Sequence, residues 1–196
     1  MAFKIELLQG AEARRILAPL AALRIEVFHE YPYLYEGNIE YELKYLDRYF
    51  SSKNSLVVAL WNKDKLVGAS TAIHLPEENL NIRTALNPFY KEDSFVYFGE
   101  SIIQKKYRGN GFGKKFFELR ENFARSIPKV NRCGFCSVQR SSNDPRKPDS
   151  YFSPENLWSK LNYQLKKDLT VELEWKEIGE AKESPKSLQF WIKNLT

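Results

Sequence analysis

The sequence predicts one mixed α/β domain, with a strand, a glycine loop and a helix at its centre. Three observations carry this. The chain has 196 residues, the length of one domain. Alternating apolar runs and segments of helical period follow one another in the order β-α-α-β-β-β-α-β-α-β-β, without internal repeat or low-complexity linker. Residues 107–117, YRGNGFGKKFF, set three glycines between an apolar run and an amphipathic helical pattern.

Phe3 to Leu8 alternates and reads as a first strand. Ala11 to Glu30 carries Ile16, Leu17, Leu20, Leu23, Val27 and Phe28 at helical spacing, with a kink or break expected at Pro19. Tyr31 to Tyr35, YPYLY, is a loop. Asn38 is the expected N-cap of a helix from Ile39 to Phe50. Ser55 to Trp61 and Leu66 to His74 form a hairpin across the turn of residues 62–65. Pro76 to Asp93 is polar and reads as irregular. Ser94 to Gln104 reads as one strand, Phe112 to Ile127 as a helix, and Arg132 to Gln139 as a further strand. A loop from Ser141 to Ser153 leads to a short helix, Pro154 to Leu161. Strands at Leu169 to Glu177 and Leu188 to Leu195 close the order.

The composition, 43 % hydrophobic and 28 % charged, is that of a globular chain able to bury a core. The net charge of +5 is compatible with anionic ligands or nucleic acid. The basic residues are spread along the chain, however, apart from a group around the glycines, so a nucleic-acid face is not expected. Residues 1–10 hold no long apolar run, so neither a signal peptide nor a membrane span is expected there. Cys133 and Cys136 have Cys-x-x-Cys spacing, but they lie in a strand, where residues three apart face opposite ways. Two reduced core thiols and no metal are expected, which suits a cytoplasmic protein.

A helix N-terminus presents unpaired N–H groups and about half a positive charge, and glycines let its backbone approach an anion. Two familiar phosphate motifs do not fit. From Gly109 and Gly111 a dinucleotide fingerprint requires glycine where Lys114 stands. A P-loop would need its first glycine at Arg108 and Ser or Thr at Lys115. What fits is Arg-x-x-Gly-x-Gly, from Arg108 through Gly109, Asn110, Gly111 and Phe112 to Gly113. With the strand before it and the helix after it, this resembles the pyrophosphate loop of the GNAT N-acetyltransferase superfamily. Further on, NLWSKLNYQ resembles the family's late helix, with Leu161-Asn162-Tyr163 standing for Leu-Gly-Phe. Asn tolerates the left-handed C′ conformation that Gly usually supplies. The element order is similar to the family's nearly end to end.

The resemblance implies a single GNAT-like domain with a mixed, mostly antiparallel sheet flanked by helices. It implies acetyl-CoA as the cofactor, its diphosphate held by the amides of residues 108–113 with Lys114 nearby. The pantetheine arm would pair with backbone near Ile102 and Ile103, where the strand splays from its neighbour and an N–H can serve the thioester oxygen. Asn143 resembles the family's asparagine that touches the pantetheine. Acetyl would pass directly from cofactor to amine in a ternary complex. Glu100, in YFGESII, is the expected base, its pKa raised by apolar neighbours. The family often protonates the leaving thiolate with a tyrosine where Trp158 stands here, and indole has no acidic proton. Tyr151 and Tyr163 are the candidates in its place, and an unaided thiolate is a third route.

In this superfamily the first two helices and their connector wall the acceptor site. Here that segment is rich in tyrosine, with Glu26, Glu30, Glu36 and Glu40 beside it. Tyr33 and Tyr35 are the candidate acceptor contacts, and the expected acceptor is an amine of a small molecule or peptide. A coenzyme A-binding module without chemistry is the competing reading, kept open by Trp158. Monomer and homodimer are both compatible with the sequence.

Overall fold

A computed structural model describes residues 2–195. Strands β1 (Phe3–Leu8), β2 (Ser55–Asn62), β3 (Lys65–His74), β4 (Phe95–Tyr97), β5 (Ser101–Ile103), β6 (Arg132–Val138), β7 (Gln164–Trp175) and β8 (Ser184–Asn194) make one sheet. Its order is β1-β2-β3-β4-β6-β8-β7, with β5 paired to β3. The β4–β6 pair is parallel and the other pairs are antiparallel. Helices α1 (Leu17–Phe28) and α2 (Ile39–Ser51) pack on one face, and α4 (Phe112–Ser126) and α5 (Glu155–Lys160) on the other. Helix α3 (Leu80–Leu86) lies in the β3–β4 connection. Strand β2 shows why its sequence is apolar without alternation. Val57 and Ala59 enter the α1–α2 core while Val58 and Leu60 enter the α4 core, so both faces are covered.

Local signals hold where the sequence is explicit. The Asn38 side chain accepts from the N–H groups of Glu40 and Tyr41 at 2.9 and 3.1 Å and starts α2. Asn162 has φ 67°, the left-handed residue after α5. Cys133 and Cys136 face opposite cores.

Four expectations need correction. Residues 10–16 form a 3₁₀ segment, so the break precedes Pro19. Pro19 itself sits in the first turn of α1, where its missing N–H removes no helical bond. The stretch 76–93 is not wholly irregular, because Asn79 caps α3 by accepting from the Ile82 N–H at 3.0 Å. Strand β7 begins at Gln164, ahead of Leu169, and a register shift between Lys166 and Thr170 absorbs the polar KKD run. Strand β8 likewise begins before Leu188.

The fourth correction makes the site. The run 94–104 is two strands. β4 pairs with both β3 and β6, and the last bond to β6 is from the Phe98 N–H to the Gly134 carbonyl at 2.8 Å. Beyond it β5 follows β3 alone, while Phe135 to Val138 follow β8 alone. A wedge therefore opens between β5 and the second half of β6. Gly99 sits at the break. A Cβ there would lie 2.1 Å from the Tyr49 hydroxyl and 2.7 Å from Thr71 Oγ1, so only glycine allows helix α2 to press so close.

Candidate active site

The wedge leads into a cavity of about 330 Å³. Ile102 and Ile103 line one side, Phe135 to Val138 the other, and Phe117 and Arg120 of α4 the floor. Tyr31 and Tyr33 of the YPYLY loop and Tyr151 border it, with Tyr31 and Tyr151 edge to face at 4.7 Å. That loop is anchored to the edge of the fold. The Glu36 and Ile178 N–H groups donate to the Lys176 and Leu34 carbonyls, and Trp175 Nε1 donates to the Tyr33 carbonyl at 3.1 Å.

Arg108, the first residue of the glycine loop, lines one edge of this cleft. Gly109 and Gly111 both have φ 80°, and a Cβ at either would meet nothing within 4 Å. The glycines answer a backbone conformation, and the space beside them is open. Gly111 is the N-cap of the 15-residue α4, and its carbonyl accepts from the Lys115 N–H. The first-turn N–H groups, Phe112 to Lys114, have no preceding turn to bond and point out of the helix end. No acidic residue occupies that turn. A helix start of this kind is able to receive an anion. Asn110 shapes it, donating to the carbonyls of Tyr107 and Arg108 at 3.0 and 3.2 Å. Arg108 braces it. Its guanidinium donates to the Ile103 carbonyl at 2.8 Å and to both oxygens of Glu30 at 2.8 and 3.0 Å, tying the loop to the turn that follows α1.

Glu100 lies at the apex of the wedge, 4 % exposed. Its Oε2 accepts from Arg24 Nη1, and Arg24 Nε donates to Glu42 Oε2. The remaining oxygens, Glu100 Oε1 and Glu42 Oε1, are buried without a hydrogen-bond partner. Burial pushes the Glu100 carboxyl above its ordinary value, with Arg24 opposing the rise. The Arg24 guanidinium also sits over the Tyr45 ring at 4.2 Å. The sequence reading reached Glu100 but not its partners. The signal was present: Arg24 falls four residues after Leu20 on the buried stripe of α1, and Glu42 four before Leu46 on that of α2.

A second cavity of about 590 Å³ lies on the α1–α2 side. Tyr35, Tyr41, Tyr45, Trp175, Arg24 and Glu42 line it, and it shares Phe28, Tyr33, Gly99 and Cys136 with the first. Tyr33 thus stands between the cavities, while Tyr35 belongs to the second. The Arg24–Glu100 pair spans the division.

Two sequence candidates stand apart from the cleft. Asn143 is exposed and its bonds are local, to Ser141 and Ser142. Its loop is drawn toward the end of β7 by Arg146, which donates to Asp144 and to Glu177 at 2.6 Å. Tyr163 is buried beneath, its hydroxyl donating to Glu121 at 3.1 Å. Trp158 lines the cleft, packed edge to face on Phe135 and Trp191.

No protein-family profile matches the chain, and no curated protein sequence matches it. Solved structures do. NAA60 of Arabidopsis thaliana in complex with acetyl-CoA superposes with a TM-score of 0.61 at 12 % identity, covering 98 % of each chain. A GNAT-family acetyltransferase of Streptococcus pneumoniae gives 0.61 at 15 % identity, over 99 % of this chain and 100 % of its own. The yncA protein of Salmonella typhimurium, solved with its cofactor acetyl-CoA, gives 0.61 at 11 % identity over 100 % of this chain and 95 % of its own. At such identities the likeness is one of fold, and it extends from end to end: the chain has the GNAT acetyltransferase fold.

Proposed function

We propose that the protein is an N-acetyltransferase that moves acetyl from acetyl-CoA to a primary amine. The observation that carries this reading is the wedge. At its apex lies a buried carboxylate with one unpartnered oxygen, and at its edge Arg108 leads into the glycine loop at the start of α4. A long ligand with a diphosphate at one end and a reactive carbonyl at the other fits that layout. The open space at Gly109 and Gly111 admits the diphosphate. The edge of β5 that β3 leaves unpaired, at Ile102 and Ile103, is where an extended amide arm would bond. Acetyl-CoA supplies a thioester, an acyl group already activated for attack.

The amine enters from the second cavity, past Tyr33 and Tyr35. The faces of Tyr35 and Tyr41 are available to a cation there, and Glu172 and Glu174, which also line that cavity, supply negative charge that draws it. Glu100 is the base. Burial keeps its carboxyl closer to neutrality than a surface glutamate, and its unpartnered oxygen is free to accept the ammonium proton. Arg24 holds the other oxygen and so fixes the carboxylate's direction. Tyr151, which lines the cleft beside Tyr31, is the candidate hydrogen-bond donor to the reacting group. The test is a thiol-release assay with acetyl-CoA over alkylamines, polyamines and lysine peptides. At least one class is expected to turn over. Release no faster than without protein for every class would refute the reading, and would leave a coenzyme A-binding module.

A further inference from the structure

Arg120 carries a buried positive charge that no carboxylate among the described residues contacts. It is 1 % exposed on the inner face of α4. Its guanidinium lies against the rings of Phe98 and Phe117, at 4.4 and 4.7 Å from their centroids. Nη1 donates to the carbonyls of Glu100 at 3.1 Å and Thr71 at 3.4 Å. Both carbonyls already accept a backbone N–H, from Thr71 and Gly99 respectively. The arginine is therefore not needed to satisfy them. Nη2 is buried without a partner, and the side chain lines the cleft where β4 gives way to β5.

The charged and titratable groups facing it from the neighbouring elements leave the charge standing. The Glu100 carboxylate, at the strand break, acts on Arg120 from a distance and partly offsets its charge, but its own contact is with Arg24 on the opposite face of the sheet. Glu121, on α4, is bound to Lys193 of β8 at 2.8 Å. Cys133 of β6 is pushed up to about 12 by burial, and Tyr163 is pushed up too, so both are neutral. Burial brings Arg120 itself down to about 10, still a cation near neutral pH. An unpaired buried cation is costly unless an anion joins it. In this cleft the anion can be transient.

We infer that Arg120 is the counter-charge for the departing sulfur. Its guanidinium stabilises the negative charge that grows on the thioester as the amine attacks, and then holds coenzyme A as a thiolate. The inference rests on the acetyl-transfer reading above. In the step, the amine lone pair forms the C–N bond. The C–S bond breaks and its electron pair goes to sulfur. The surplus amine proton passes to Glu100 and from there to solvent. After release the thiolate takes a proton from water. No acid need act. Trp158 has no acidic proton. Burial raises the Tyr151 phenol above its ordinary value, so proton transfer from it to a thiolate of pKa about 8.5 runs uphill. A fixed positive charge performs the task without a proton.

The test titrates bound coenzyme A through the ultraviolet absorbance of its thiolate, with the desulfo-coenzyme A complex as blank. In the wild-type complex the thiol is expected to titrate at least about one pH unit below its free value of about 8.5. Arg120→Gln should return it to about 8.5, and Arg120→Lys, which keeps the charge, should retain most of the shift. An arginine with only a structural task would leave the bound thiol equal in wild type and Arg120→Gln. A wild-type thiol at or above its free value overturns the inference without recourse to any variant. Failure of the wild-type protein to bind coenzyme A is a different result, and it removes the acetyl-transfer reading together with the role of Arg120.

Discussion

Replacing Arg24 by methionine keeps most of the side-chain volume and removes the guanidinium that bridges Glu42 and Glu100. Those residues are 0 % and 4 % exposed, so the variant leaves carboxylates buried with no counter-charge. Losing one partner of a buried ion pair costs about 3–5 kcal/mol. At about 2–4 °C per kcal/mol for a chain of this length, the melting temperature should fall by roughly 6–20 °C. The loss should also depend on pH, with a definite sign. Burial already raises the Glu100 carboxyl and Arg24 opposes it, so without Arg24 the folded-state pKa climbs further above the unfolded value. An acid whose pKa is raised on folding binds extra protons in the native state. Stability is then retained below the unfolded pKa of about 4.3 and lost as pH rises through the folded one. The deficit of Arg24→Met should therefore be smallest near pH 5 and largest near pH 8. Adding Glu100→Gln should recover part of it at the higher pH. Thermal melts by circular dichroism at the two pH values read this directly. A melting temperature within about 2 °C of wild type, or a deficit equal at both pH values, would refute the claim that Arg24 neutralises these carboxylates.

Three further outcomes follow from the same geometry. Gly111→Asp has room for its side chain and takes a left-handed backbone that Asp tolerates, so the fold should survive. A carboxylate about 4 Å from a diphosphate costs about 1–4 kcal/mol, so calorimetry should show coenzyme A bound at least about fivefold more weakly, and Gly111→Ala should lose much less. Equal affinity for Gly111→Asp and wild type would remove the diphosphate from the glycine loop. Glu100→Gln should lower kcat by about a hundredfold or more, abolish the acid limb of the pH–rate profile and leave coenzyme A affinity unchanged. An unaltered pH profile would assign the base elsewhere. Cys136 borders both cavities, but burial pushes its thiol up to about 12. Thiol reagents should therefore label neither cysteine appreciably in the native protein near pH 8, and both after unfolding. Prompt stoichiometric labelling of the folded protein would contradict that placement.

What the sequence made legible was local. The glycine loop, the Asn38 cap and the left-handed Asn162 each depend on a few neighbouring residues, and each stands where the pattern places it. The break between β4 and β5 was not legible. FVYFGESII is rich in Phe, Val, Tyr and Ile around a single Gly-Glu-Ser and reads as one strand, and what divides it is Tyr49, pressing on Gly99 from a helix fifty residues earlier. The Arg24–Glu42–Glu100 cluster was hidden for the same reason, since its members are 18 and 76 residues apart and meet only through packing. Arg120 falls at helical spacing from Phe116 and Phe123, yet a lone arginine in a charged amphipathic helix reads as a surface residue until the wedge above it is known. Arg108 reads as a phosphate ligand from its motif, and its bonds to Glu30 and the Ile103 carbonyl give it the further task of bracing the loop.

The wedge at Glu100, with the glycine loop beside it, is proposed as an acetyl-CoA site. The most direct measurement is isothermal titration of the purified protein with acetyl-CoA, and with coenzyme A for comparison. One site per chain with micromolar affinity for both is expected. No heat of binding at millimolar concentration of either would contradict it, and would leave the glycine loop as no more than the start of a helix.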